Sequence, residues 1–201
     1  MAIVKESYSS SETSLKIYAK AYPLQIKSVL TGDEVKFAAF LTNFSQNFQS
    51  NWNTEEVYGR NDPIATFQGT KRSISVSFDI PSPSLSAAKA ALESCDLLSK
   101  FLYPGYLGKK TTKVESRTIA RPPLIKVKFA NLISRGSDYL LGYLDALDWN
   151  SVLEMGMFEE TTTKSLFPKV ISLSFTLNVL HQEELGFDDD NAWLGTSGLI
   201  G

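Results

Sequence analysis

Two stretches of the chain alternate apolar and polar residues without a break. Ile74, Val76, Phe78 and Ile80 fall on one side of an extended chain, with Ser73, Ser75, Ser77 and Asp79 on the other. Ile171, Leu173, Phe175, Leu177 and Val179 alternate in the same way with Ser172, Ser174, Thr176 and Asn178. A period of two marks a half-buried strand. The shared run of Ile-Ser-Val-Ser-Phe and Ile-Ser-Leu-Ser-Phe is read as common strand chemistry, not as an internal repeat. Pro81 and Pro83 end the first strand because neither can donate to a ladder. Ser84 then offers a hydroxyl N-cap. Leu85, Ala88, Leu92, Cys95, Leu98 and Leu102 recur at helical spacing, which predicts a helix from Ser84 to Tyr103, ended by Pro104-Gly105.

The remaining pattern is weaker. Leu24, Ile26 and Val29-Leu30 predict a short strand, and Gly32-Asp33 a turn. Val35 and Phe37 start an apolar segment that continues through Phe40, Phe44 and Phe48. Its spacing changes from two to three and four after Ala38-Ala39, which fits a helical turn or two, while the intervening Asn, Ser and Gln fit a bulged strand; both remain open. Val57 to Ile64 is rich in turn-forming residues. Leu107 to Pro123, with Lys109-Lys110-Thr111-Thr112-Lys113 and Arg117, reads as a polar, solvated connection. Leu124 to Asn131 and Tyr139 to Trp149 predict an antiparallel hairpin about the turn cluster Arg135-Gly136-Ser137-Asp138. Met155 to Lys164 reads as a further connection. Residues 1–20 are expected as a polar N-terminal arm, residues 21–185 as one domain, and residues 186–201 as an extended C-terminal tail. Trp193 and Leu194 in that tail need cover from a partner subunit or from the domain's own surface. About six or seven mostly antiparallel strands and one long helix make an α+β fold.

Composition narrows the chemistry. The 201 residues can bury one core, and 20 Lys and Arg nearly balance 22 Asp and Glu, without the basic excess of a nucleic-acid wrapper. No nucleic-acid partner is expected. Cys95, the lone cysteine, excludes an internal disulfide and falls on the apolar stripe of the helix, as a small hydrophobe would. No apolar run approaches a membrane span and no export signal stands at the N-terminus, so a cytoplasmic site of assembly is expected. With one histidine, His181, read as a surface or capping residue, no zinc ligand set and no serine triad can be built. No phosphate loop or dinucleotide fingerprint occurs. No catalytic residue, metal or cofactor is therefore expected. Glu55-Glu56, Asp62, Glu159-Glu160 and Asp188-Asp189-Asp190 leave a carboxylate hydrolase acting on the cell wall as an alternative, and Trp52 and Trp149 a carbohydrate-binding sandwich.

Tyr58-Gly59-Arg60-Asn61-Asp62-Pro63-Ile64, the alternating strand, Pro81-Ser82-Pro83-Ser84, the helix to Tyr103-Pro104, Arg121-Pro122-Pro123-Leu124 and Phe167-Pro168-Lys169 leading into the late strand occur in that order. Over residues 35–185 this resembles a tail-tube initiator or inner-baseplate hub protein of contractile-tailed bacteriophages. The resemblance implies an antiparallel β-sandwich or barrel of the tail-tube type flanked by the helix. It also implies a hexameric ring in the virion, with the tail tube protein and neighbouring initiator and baseplate hub proteins as partners. In that setting Tyr58, Gly59, Arg60, Asp62, Pro63 and Ile64 are expected at a subunit interface, Arg60 paired with a carboxylate of the next subunit or at home, and Trp193 and Leu194 are candidates for another. The serine-rich strand faces suit a hydrated lumen or a closely packed neighbour.

Overall fold

The computed structural model describes residues 23–38, 40–107 and 118–195. The expected N-terminal arm, the basic cluster at 109–117 and the last glycines lie outside the described residues.

Among the described residues, eleven strands and one long helix follow one another: β1 Leu24–Ser28, β2 Glu34–Phe37, β3 Phe40–Glu55, β4 Ile64–Pro81, α1 Leu85–Lys100, β5 Gly105–Leu107, β6 Thr118–Arg121, β7 Ile125–Lys128, β8 Leu140–Ser151, β9 Met157–Glu160, β10 Ser165–Pro168 and β11 Val170–Val179. A turn of 3-10 helix, Leu153–Met155, separates β8 from β9. Seven strands form one antiparallel sheet in the order β2-β1-β7-β8-β11-β4-β3. The two clearest alternating strands are neighbours at its heart, with Ile171 opposite Ile80, Leu173 opposite Phe78 and Phe175 opposite Val76. The predicted hairpin is β7 paired with β8. The described residues thus form an α+β fold, mostly antiparallel sheet with one long helix.

Sheet order and chain order together show that the sheet is rolled. β2 and β3 lie at its two opposite edges, yet only Ala38 and Ala39 separate them in sequence. Three virtual bonds bring Phe37 to within about 11 Å of Phe40. The edges therefore meet at this corner, and the alternate residues of every strand turn into a common interior. Phe37 on β2 lies 5.8 Å, ring to ring, from Phe78 on β4, and Phe78 lies 6.2 Å from Phe175. Leu24, Ile26, Val35, Ile74, Ile125, Val127, Ile171, Leu173 and Leu177 complete the buried core.

Helix α1 closes this core from one side. Ala88, Cys95 and Leu98 are its buried residues, and it packs on β2 and on the β9–β10 hairpin. The Ser84 hydroxyl accepts from the Ala87 amide at 3.3 Å, which is the expected cap. At the other end Phe101 caps the helix and its side chain joins the core, so the helix stops short of Tyr103 and the last residues form turns. Burial raises the Cys95 thiol to about 11, helped by the nearby Asp96 carboxylate.

Several expectations for the connections are corrected. Of the two readings left open for Phe40 to Phe48, the bulged strand is the observed one, with a register shift between Leu41 and Asn43, and it runs on to Glu55. β4 begins at Ile64, well before the alternating run. Met155 to Lys164 does not merely connect, since Met157–Glu160 pairs with Ser165–Pro168 about a turn at Thr161–Lys164. Leu107 to Pro123 includes one side of a small ladder, β5 with β6. The described end of the chain turns back on itself: Phe187 bridges Trp193, the Leu194 amide donates to Gly186 O at 2.9 Å, and the Asp188 carboxylate accepts from Ala192 N at 2.7 Å.

Candidate functional site

The long hairpin of β3 and β4 is the feature that leaves the body. Its inner face starts in the core, where Val76 and Ile74 are buried opposite Phe44 and Gln46. Beyond Arg72, β4 has no buried residue, and β3 is mostly exposed along its whole length. The outer part of β4, Ile64 to Lys71, extends about 26 Å at the usual rise of a strand. We call it the arm.

Arg72 is the root of the arm. Its side chain is buried, donates from Nε and Nη2 to the Gln46 amide oxygen at 3.2 and 2.9 Å, and lies 5.5 Å over the Phe48 ring. Burial lowers its pKa, although a guanidinium stays charged. Nearby, at the end of β11, the His181 Nε2 atom is buried without a hydrogen-bond partner. Burial, and then the Arg72 charge, lowers the pKa of this imidazole. His181 is thus a half-buried residue at the foot of the arm.

Past this root the inner face carries the polar pair Ser50 and Thr70 and then an aromatic pair without cover. A bulge between Asn51 and Trp52 leaves Gln68 unpaired on β4, with Gly69 at a φ of 143°. The extra residue shifts the frame of β4, so Phe67 comes to lie opposite Trp52 with their rings 5.1 Å apart and edge-on. Phe48, Trp52 and Phe67 are each about half exposed. Trp149, by contrast, packs against the core.

At the tip, Gly59 takes a left-handed φ of 87°, and the Arg60 amide donates to Val57 O at 3.2 Å. Tyr58 projects wholly into solvent and Ile64 is 45% exposed. Arg60, Asp62 and Pro63 are also exposed, and Arg60 makes no ion pair among the described residues. The structure therefore brings Tyr58, Gly59, Arg60, Asp62, Pro63 and Ile64 together on one projecting loop. Trp193 and Leu194 lie apart, in the C-terminal turn. Trp193 packs edge-on against Phe187 at 5.2 Å and remains 41% exposed, Leu194 49%.

The free edge of β3 went unrecognised in the sequence. Among the described residues β3 pairs with β4 alone, leaving a strand of 16 residues with one open side. Folded proteins guard such an edge with lysine, proline or charge. Here the first charged residue is Glu55, at the very end, and no proline interrupts the run. That absence was a readable signal.

The serine-rich strand faces merge into one band on the outside of the sheet. Asn43, Ser45 and Asn47 on β3 stand opposite Ser77, Ser75 and Ser73 on β4, which in turn stand opposite Ser174, Thr176 and Asn178 on β11. The Ser172 hydroxyl donates to Asp79 at 2.5 Å, and Ser75 and Thr176 share a hydrogen bond of 3.3 Å. A shallow hollow of about 340 Å³ in this band is lined by Thr42, Asp79, Asn150 and Ser174 among others.

The acidic residues fall on separate elements. Glu55, Glu56 and Asp62 are at the arm, and Asp188 holds the C-terminal turn. Glu160 accepts from the Lys89 ammonium and from the Thr163 hydroxyl, and these hydrogen bonds, Lys89 first, hold its carboxyl below the usual range. The same ammonium lies 5.3 Å over Phe167, so Lys89 fastens the β9–β10 hairpin to α1. Among the described residues no three His, Cys, Asp or Glu side chains are grouped as metal ligands, and no helix is long and apolar enough to cross a membrane. The chain matches no protein-family model and no curated protein.

Proposed function

We propose that this chain is a structural subunit that assembles with copies of itself into a closed ring, and that the ring starts the tail tube at the baseplate of a contractile-tailed phage. The observation that carries the first half is the open edge of β3, 16 residues without lysine, arginine or proline. A strand of that length left unpaired in solution would join another strand indiscriminately. A ring removes the hazard, because each copy offers an edge to its neighbour and the last copy closes on the first. The polar band of Ser, Thr and Asn, with Asp79 within it, then lines a continuous sheet. The hexameric count, the tube and the baseplate hub proteins as partners, and the place in the virion come from the resemblance of residues 35–185 to tail-tube initiators.

Light scattering and electron microscopy of the purified protein, alone and mixed with the tail tube protein, test this. Rings are expected, together with tubes that grow only when this protein is present. Asn43→Lys with Asn47→Lys, two exposed positions on β3, should abolish rings while leaving the circular dichroism spectrum unchanged. A monomer that ignores the tube protein would overturn the reading.

A further inference from the structure

Where β4 leaves the sheet, two residues stand across from one another just beyond the last rung of its ladder with β11. Val170 pairs with Pro81, and the next amide, that of Ser82, donates to Lys169 O at 2.7 Å. Ser82 and Lys169 are therefore a cross-strand pair whose side chains leave the same face, with Cα atoms about 5.5 Å apart. Both line an apolar cavity of about 410 Å³ at the corner of the rolled sheet, together with Phe40, Pro81, Pro83, Met155 and Val170. That volume lies in the range of formed ligand pockets.

Each member of the pair carries a polar group left open. Ser82 is 7% exposed, and its hydroxyl is buried without a hydrogen-bond partner. Buried hydroxyls are nearly always hydrogen-bonded, so one left open in a cavity wall marks the place of a missing partner. The Lys169 ammonium makes no ion pair among the described residues and rests 5.4 Å over the Phe158 ring. A ring face holds an exposed cation only weakly. One group answers both needs: a carboxylate accepts from the hydroxyl with one oxygen and from the ammonium with the other.

The rest of the wall says what that carboxylate is attached to. It is aliphatic, proline and aromatic surface, with the exposed and flexible thioether of Met155 at its mouth. An extended peptide adding to this wall would need backbone donors. Pro81 and Pro83 have none, and the amides of Ser82 and Lys169 are already engaged by Lys169 O and Gly156 O. An alkyl chain needs none.

We propose that the corner cavity binds a carboxylate carrying an unbranched alkyl chain, a medium-chain fatty acid, with Ser82 and Lys169 holding the head and the apolar wall holding the tail. The bound molecule ties the β4–α1 connection to the start of β3 and the entry to β11. This site does not depend on the formation of rings.

The test is calorimetric titration of the full chain at neutral pH with decanoate, decanol and decyltrimethylammonium, which share a chain and differ in the head. Each is kept below the concentration at which it forms micelles. Decanoate should bind one per chain and about tenfold more tightly than decanol, the margin a charge-assisted pair supplies, with the cation weakest. Lys169→Met keeps the stem, removes the charge and should abolish the preference for decanoate while leaving decanol unchanged. Ser82→Ala should weaken both, since its hydroxyl serves either head. Amide resonances moved by decanoate should centre on Phe40, Ser82, Lys169 and Val170. A preference that survives Lys169→Met, equal binding of all three heads, shifts centred elsewhere, or no binding at all would overturn the proposal. So would a peptide with an apolar C-terminus that binds more tightly than decanoate, which would make the cavity a seat for a protein tail.

Discussion

At the scale of single residues, the positions that tolerate least are those where the backbone leaves no room. A Cβ built on Gly142 would stand 2.4 Å from the Asn178 carbonyl oxygen and 2.8 Å from the Leu177 side chain. Both belong to β11, beside the register shift between Thr176 and Leu177 that lets β8 and β11 stay paired. The carbonyl is held in a ladder and cannot swing away, so Gly142→Ala should cost about 3 kcal/mol by overpacking. Thermal unfolding should show the midpoint lowered by roughly 6–12 °C for a chain of this size. His181 makes a prediction about pH. Its folded pKa is lowered from the ordinary 6.5 by burial and by Arg72. Above about 6.5 neither the folded nor the unfolded chain binds the proton, and stability is unaffected. As pH falls below that value the unfolded chain takes up the proton first, so stability drops until the folded imidazole titrates too. Melting curves at pH 7.5 and 5.5 should show a larger fall for the unmodified protein than for His181→Gln, and equal falls would show that the imidazole titrates alike in both states.

At the scale of elements, legibility followed burial. β4 from Ile74, β11 and α1 could be read because each turns one apolar face to a core, and that face imposes a period on the sequence. The outer half of the arm has no core on either side, so nothing in Phe48 to Phe67 is obliged to alternate. Its bulge hides the pattern further. The parity of Phe67 puts it opposite Ile74 and Arg72 in a regular strand, and only the extra Gln68 brings it to the face of Trp52. The β9–β10 hairpin escaped notice for a related reason: each strand has four residues, too few for a period to declare itself. Two strands standing free of a core are marginally stable in water. The arm's backbone is protected by one ladder and the Trp52–Phe67 pair. Amides of the Ser50 to Gln68 segment in the isolated monomer should therefore exchange with solvent at least a hundredfold faster than those of Ile74 to Ile80. Comparable protection of the two segments would mean that the arm is covered in solution.

At the scale of the molecule, the buried core and the proposed assembly surface lie in different parts of one hairpin. The sheet rolls so that its two edges approach between Phe37 and Phe40, three residues apart in sequence, and Phe37, Phe78 and Phe175 tie β2, β4 and β11 across the interior. That closure could not be read along the chain, because it depends on the pairing order of strands distant in sequence. None of the residues of the closed core lies beyond Ile74 towards the tip. Replacing Asn51 to Gly69 by a two-residue Asn-Gly turn between the paired Ser50 and Thr70 removes exposed strand and leaves the root made by Arg72, Gln46 and Phe48 in place. The core keeps every contact, so the thermal midpoint of the shortened chain should stay within about 3 °C of the parent, a change of roughly 1 kcal/mol. Its capacity to build on other subunits should be lost at the same time, since both the tip and much of the open β3 edge are gone. Size-exclusion with light scattering on the same samples reads the second effect. A shortened chain that unfolds far earlier would show that the arm braces the body, and one that still assembles would move the interface to the remaining surface of the sheet.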